Sequence, residues 1–204
     1  MLIKCPMKGI IIAGGYASRL HPLTIDRPKH LLPIAGQPMI NYLMAKLDKL
    51  DDVDEYFLIT NNKFYKHFSG WAETTSFSKK VTIINDGTNS NDDRLGSVGD
   101  ILYAIDYAKI NDDLFIIAAD NLIDFDLNKM LLFFKQINKP VIGCYDIKDL
   151  NAVKQLGQVV LDEKGKVVDF QEKPMYPTTT LIATLFYALP KSSIPLIQEC
   201  VDMG

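Results

Sequence analysis

Two glycines and two cations, set close together in one stretch, are where chemistry could begin. The run from Ile10 to Pro33, IIIAGGYASRLHPLTIDRPKHLLP, empties a branched apolar segment into Gly14-Gly15 and then into a long loop carrying Arg19 and Lys29. A buried strand ending in a glycine loop is how α/β proteins bring backbone N–H groups up to phosphate. Two fixed cations beside those amides call for a ligand with more than one negative charge. Pro22, Pro28 and Pro33 stiffen the loop and reduce the entropy lost on ordering it. Pro28 also restricts Arg27, so that Lys29 is presented from a rigid arm. Such an arm suits a triphosphate that must be held without reorganisation. Taken singly the features say less: glycine pairs also serve as tight turns after strands, and a lone arginine is commonly a surface residue.

The elements that must position these residues follow from hydrophobic patterning. Lys8–Ala13 is apolar without alternation and reads as a central strand. Pro38 can open a helix at its first position, followed at helical spacing by Met39, Ile40, Leu43, Met44, Leu47 and Leu50. Tyr56–Thr60 and Val81–Ile84 read as further strands, with Phe64, Phe68 and Trp71 as a core stripe on the helix between them. The polar stretch NDGTNSNDDRLG, Asn85–Gly96, is long for a connection in a compact domain and marks a binding loop, in which Asp86, Asp92 and Asp93 read as solvated charges. Ser97 and Asp100 form a loose capping box before a helix carrying Ile101, Leu102, Ile105 and Ala108. Leu114–Ala119 is a fourth buried strand ending on Asp120-Asn121, Asp126 caps the next helix, and Val141–Tyr145 is a fifth strand. After residue 150 the pattern changes to a hairpin, Gln158–Leu161 and Lys166–Phe170, turning at Gly165. Leu181–Leu189 is one more strand, and a last helix starts near Pro195. Strands alternating with helices predict a Rossmann-like three-layer α/β/α fold, its sheet mixed but mostly parallel, with an inserted β-hairpin.

Composition narrows the class. The 204 residues are 48% hydrophobic and 23% charged, enough for a real core, and the formal net charge of −3 argues against a nucleic-acid-coating protein. No apolar run reaches the roughly 18 residues of a membrane span. Cys5, Cys144 and Cys200 are dispersed and form no CxxC pair, which predicts reduced thiols in a cytoplasmic protein. His21, His30 and His67 are isolated from any triad or metal-binding partner. The loop GGYASR lacks GxGxxG spacing, which argues against a dinucleotide cofactor.

The segment AGGYASRLHPLTIDRPKHLLPIAGQPMI closely resembles the opening of the sugar-1-phosphate nucleotidyltransferases, AGGxGTRLxPLTxxxPKxLLPIxGxPMI. The resemblance continues through LGSVGDI at Leu95–Ile101, AADN at Ala118–Asn121 and LGQVVLDEKGKVVDFQEKP at Leu156–Pro174. It implies the reaction NTP + sugar 1-phosphate → NDP-sugar + pyrophosphate, by in-line attack on the α-phosphate with Mg²⁺ assistance. It implies that Ala13, Gly14 and Gly15 bind nucleotide, that Arg19 holds the β- and γ-phosphates, and that Lys29 sits at the α-phosphate. Asn85, Gly87, Leu95, Gly96 and Ser97 map to base recognition, and Gly157, Glu172 and Lys173 to the sugar phosphate. Asp120, just past an apolar strand, is implied as the Mg²⁺ ligand; from position alone it could equally be a turn or cap aspartate.

The chain departs from the pattern at four points. Ala17 stands where glycine is usual, Ser18 where threonine is, and Leu185 where the family has a strand glycine near the sugar. No D-x-G aspartate follows Lys191–Gly204 to complete the metal site. The expectation is therefore a single nucleotidyltransferase domain over residues 1–204, truncated at its C-terminal end. The alternative is a non-catalytic module that binds nucleotide or nucleotide sugar and lacks the second carboxylate. The base (thymidylyl, uridylyl or guanylyl transfer), the sugar and any homo-oligomer are left open.

Overall fold

The apolar segments read from the sequence become neighbouring strands. The computed structural model describes residues 6–203, so Cys5 and Gly204 lie outside the described residues. These residues form two units, a larger one running to Pro140 and resuming at Ala188, and a smaller one, Val141–Tyr187.

In the larger unit the chain runs through β1 (Met7–Ile12), a two-residue ribbon β2 (Pro33–Ile34) and β3 (Gln37–Pro38), α1 (Met39–Leu47), β4 (Val53–Thr60) and α2 (Tyr65–Thr74). It continues through β5 (Lys80–Asn85), α3 (Gly96–Ala108), β6 (Asp113–Ala118) and α4 (Leu127–Ile137). The smaller unit holds β7 (Val141–Asp146), α5 (Leu150–Val153), β8 (Gly157–Leu161) and β9 (Val167–Glu172). β10 (Leu181–Leu189) begins in the smaller unit and ends in the larger, which closes with α6 (Ile194–Asp202).

β1 is flanked by β4 and β6, parallel to both, with Ile10 opposite Phe57 on one side and Ile116 on the other. β5 extends the parallel run from the outer edge of β4. Ile10, Ile11, Leu58, Ile59, Ile116 and Ile117 are all fully buried. Since successive strand residues point to opposite faces, consecutive burial means that both faces of these strands are covered. Phe64, Phe68 and Trp71 form the expected core stripe, at 0%, 0% and 7% exposure. The Asp126 carboxylate accepts from the Asn128 N–H at 3.0 Å and caps α4, which ends on Asn138 in the left-handed conformation. α4 packs Leu127, Leu131 and Phe134 inward. Truncating a buried phenylalanine such as Phe134 to alanine costs about 3–5 kcal/mol.

In the smaller unit β8 lies antiparallel between β9 and β10, and β7 pairs with β10. Gly165 turns the hairpin at φ 76. Two local expectations are corrected, and one short helix was not anticipated. Pro38 ends β3, and α1 starts one residue later, at Met39. Ser97 and Asp100 make no capping box: α3 starts at Gly96 and has no side-chain cap. α5 has only four residues and is set by the Asp149 carboxylate, which accepts from Asn151 N–H at 2.8 Å, a helix too short to leave a periodic signal.

Candidate active site

The end of β1 is pinned from β4. The Ala13 N–H donates to the Ile59 carbonyl at 2.9 Å, and the Ala13 carbonyl accepts from the Thr60 hydroxyl at 3.3 Å. The Gly14 carbonyl accepts from Asn61 Nδ2 at 2.8 Å, and both Thr60 and Asn61 are fully buried. The chain then turns at Ala17, whose φ of 49 is left-handed. Its carbonyl accepts from the buried Thr24 hydroxyl at 2.8 Å and the Leu20 N–H at 3.0 Å. A non-glycine residue held there costs roughly 1–2 kcal/mol, so this departure from the family pattern keeps the glycine-like backbone at a price in strain. Arg19 follows on a single 3₁₀ turn, exposed; Lys29 opens a second one behind the buried Pro28.

These residues border a cleft of about 720 Å³, within the size range of small-molecule sites. Gly14, Gly15, Arg19 and Lys29 line it together with Gly96, Ser97 and two aspartates, Asp86 and Asp100. Ala13 is buried behind it. Asn85 and Gly87 shape the adjoining loop: the Asn85 side-chain carbonyl accepts from the Gly87 N–H at 2.9 Å, and its amide donates to Asn62 Oδ1 at 3.0 Å. Gly87 and Gly96 take φ of 81 and 75, which favour glycine at both places, and Leu95 projects half-exposed just before α3.

Asp120 lies beyond the carboxyl end of β6, where Ala119 N–H still pairs with Ile12 at 2.9 Å. Lys29 Nζ donates to Asp120 Oδ2 in an ion pair. Partial desolvation alone would raise the Asp120 carboxyl, but the hydrogen bond and charge of Lys29 outweigh it and hold the group below the usual carboxylate range. His30 is 2% exposed against Phe68, and burial, then the Lys29 charge, pushes its imidazole down to about 3, so it is a neutral core residue. An ionised carboxylate is the donor type that Mg²⁺ takes, alongside phosphate oxygens and water. Among the described residues no cluster of three His, Cys, Asp or Glu groups forms a metal site without such partners.

Asp86 is not the solvated charge its loop suggested. It is 9% exposed, and its Oδ1 accepts from the Thr88 N–H and hydroxyl, each at 2.7 Å. Tyr16 shares a 3.3 Å hydrogen bond with that hydroxyl, tying the glycine loop to the start of the polar one. Asp93 closes the polar loop by accepting from the Asn89 and Ser90 N–H groups. Tyr16, Thr88 and Asp100 carried no sequence signal as site residues; an aspartate facing the core stripe of α3 is the one feature that could have marked Asp100.

In the smaller unit Gly157 and Glu172 are register partners across β8 and β9. A Cβ on Gly157 would sit 2.8 Å from the Phe170 ring and 3.1 Å from Glu172 Oε2, so any larger residue there would have to push these exposed side chains aside. Lys173 takes φ 47, donates its N–H to the Leu156 carbonyl at 2.9 Å, and places Nζ 3.5 Å from Glu172 Oε1. The three residues expected at the sugar phosphate are thus brought together. Leu185 has φ 46, so the backbone that glycine favours is present at this position too.

Known proteins share this architecture. The chain is 29% identical over 193 residues to the bifunctional protein GlmU of Methanocaldococcus jannaschii, covering 95% of this chain and 42% of that protein. It is 31% identical over 192 residues to the bifunctional sugar-1-phosphate nucleotidylyltransferase/acetyltransferase of Sulfurisphaera tokodaii, covering 90% and 41%. A UDP-glucose pyrophosphorylase solved with UDP-glucose superposes with a TM-score of 0.78 at 18% identity, over 95% of this chain and 80% of that one, and so bears out the α/β fold with its mostly parallel sheet. The chain spans two fifths to one half of the curated relatives it matches, at 42%, 51% and 42% of their length. The sequence profile of the nucleotidyl transferases matches residues 8–202, and the chain belongs to that family.

Proposed function

We propose that this chain carries the site of a sugar-1-phosphate nucleotidyltransferase, which forms an NDP-sugar and pyrophosphate from an NTP and a sugar 1-phosphate. The observation that carries the reading is the convergence of Gly14, Gly15, Arg19 and Lys29 on one cleft, with Lys29 ion-paired to Asp120. A sugar-phosphate oxygen attacks the α-phosphorus, a new P–O bond forms, and the bond to the bridging oxygen breaks as pyrophosphate leaves. Such chemistry needs positioning and charge neutralisation more than covalent help from the protein. Gly14 and Gly15 let the backbone approach the nucleotide, Arg19 holds the outer phosphates, and Lys29 neutralises charge gathering at the α-phosphate. Asp120, ionised by its surroundings, would hold Mg²⁺, which when bound supplies further neutralisation of the phosphates. Gly157, Glu172 and Lys173 are assigned to the sugar 1-phosphate, with the Lys173 ammonium on its phosphate and Glu172 on sugar hydroxyls. Cys144 and Cys200 are free thiols, and no helix among the described residues is long and apolar enough to cross a membrane; both fit a cytoplasmic enzyme.

The test is pyrophosphate release with Mg²⁺ across a panel of NTPs and sugar 1-phosphates. Turnover of at least one pair, lost in Asp120→Ala, is the expected result. Nucleotide binding by calorimetry with no turnover of any pair would instead support a non-catalytic nucleotide-binding module.

A further inference from the structure

The phosphate chemistry leaves the acidic end of the cleft unused. Asp100 is 5% exposed, one turn into α3, and Asp86 is 9% exposed at the end of β5. Asp86 satisfies its Oδ1 through Thr88, whereas Asp100 Oδ1 is buried with no hydrogen-bond partner among the described residues. A buried acceptor left this way costs roughly 1–3 kcal/mol unless something pairs with it. Both carboxyls converge on the glycine loop. A Cβ on Gly14 would lie 2.8 Å from Asp100 Oδ2 and 3.5 Å from Asp86 Oδ2, so glycine is what lets them face the loop. The other polar groups that line the cleft beyond the loop, Asn91, Arg94 and Ser97, are exposed.

A nucleotide whose phosphates lie at Arg19 and Lys29 must send its base elsewhere in the same cleft, and the Asp100 carboxyl is the buried group there that still needs a partner. The geometry points to Asp100, seconded by Asp86, as the reader of the nucleobase edge, selecting a base that bears an exocyclic amine over uracil or thymine. This rests on the nucleotide-site reading above. Ionised carboxylates only accept hydrogen bonds, and two of them close together resist ionising at once, so near neutral pH they share about one proton among four oxygens. Asp100 is indeed pushed up to about 7 by burial and then by the Asp86 charge, which leaves the pair with acceptor oxygens in excess. Guanine, adenine and cytosine offer an NH₂ group to such a pair. Uracil and thymine flank their single N3–H with two carbonyl oxygens and set oxygen against oxygen. A matched bidentate contact to a base discriminates by about 1–3 kcal/mol, roughly 5- to 150-fold in affinity.

The experiment is calorimetric titration of the protein with GTP, ATP, CTP, UTP and dTTP, repeated on Asp100→Asn and Asp100→Ala. At least one amino-bearing base should bind about tenfold or more tighter than UTP and dTTP. Asparagine, with one donor and one acceptor, should shrink that ratio and improve UTP or dTTP binding, and alanine should abolish the ratio. If Asp100→Ala fails to fold, the near-isosteric asparagine variant decides alone. UTP or dTTP binding as tightly as the best amino base, or a ratio unchanged by the variants, would overturn the base assignment while leaving the nucleotide site standing. No binding by any of the five would overturn the nucleotide site itself, and the base assignment with it.

Discussion

Arg19 and Lys29 reach the cleft from a loop and remain exposed or half-exposed, whereas Asp86 and Asp100 reach it from the end of β5 and from α3 and are buried. One end can adjust its side chains around a flexible, highly charged phosphate chain; the other is fixed in the core and can only accept or reject what is offered. Phosphates are common to every nucleotide, so adjustability costs nothing in selectivity there. A base must be told from other bases, and a rigid, desolvated pair of acceptors does that better than solvated side chains.

Four variants test this contrast, from the largest expected effect down. Lys29→Ala should cut kcat by about 10²–10³-fold in the pyrophosphate-release assay, the usual loss when one preorganised donor to developing charge is removed. Arg19→Ala should weaken triphosphate binding about tenfold or more in calorimetry, since charged hydrogen bonds contribute about 1.5–3 kcal/mol. Its urea midpoint should barely move, because the side chain is exposed; a large shift would mean that the adjustable end is structural after all. Gly14→Ala should lower stability by about 1–3 kcal/mol in urea unfolding, because the added carbon must displace a buried carboxylate.

The smallest effect concerns pH. The folded-state value of Asp100, about 7, lies above its ordinary 3.8, so protonation favours the folded state. That contribution is fully present below about 3.8 and is lost as pH rises through about 7. Wild-type Tm should therefore fall relative to Asp100→Asn as pH goes from 5 to 8. A gap between the two that stays constant over this range would show that the acidic end is solvated like the cationic one.

Much of this was legible in advance. Five strands were visible because β1, β4, β5, β6 and β7 are apolar runs between turns, although only β1, β4 and β6 are buried along most of their length; the cationic loop was visible because its prolines, arginine and lysine share one short stretch. The acidic end was not. Asp86 sits in a polar loop whose inward turn depends on Thr88 and on Tyr16, 72 residues from Thr88. Asp100 falls where a helix-capping residue would, and only the packing of Gly14 against it reveals another role. Ala17 and Leu185 stood out as missing glycines, but that the chain keeps left-handed geometry at both could be learned only from the backbone.

The ion pair between Lys29 and Asp120 gives substrate entry a particular character. Each partner already holds, in the other, a stand-in for what it would meet at work: the carboxylate takes the part of a phosphate oxygen and the ammonium that of a metal ion. Loading the site is then an exchange of counter-ions, and its free energy is the difference between two sets of pairings. A triphosphate arriving alone would take the lysine and strand Asp120, while one arriving with its cation re-pairs both. Titrations with and without Mg²⁺ should show that difference directly, and Asp120→Asn should narrow it.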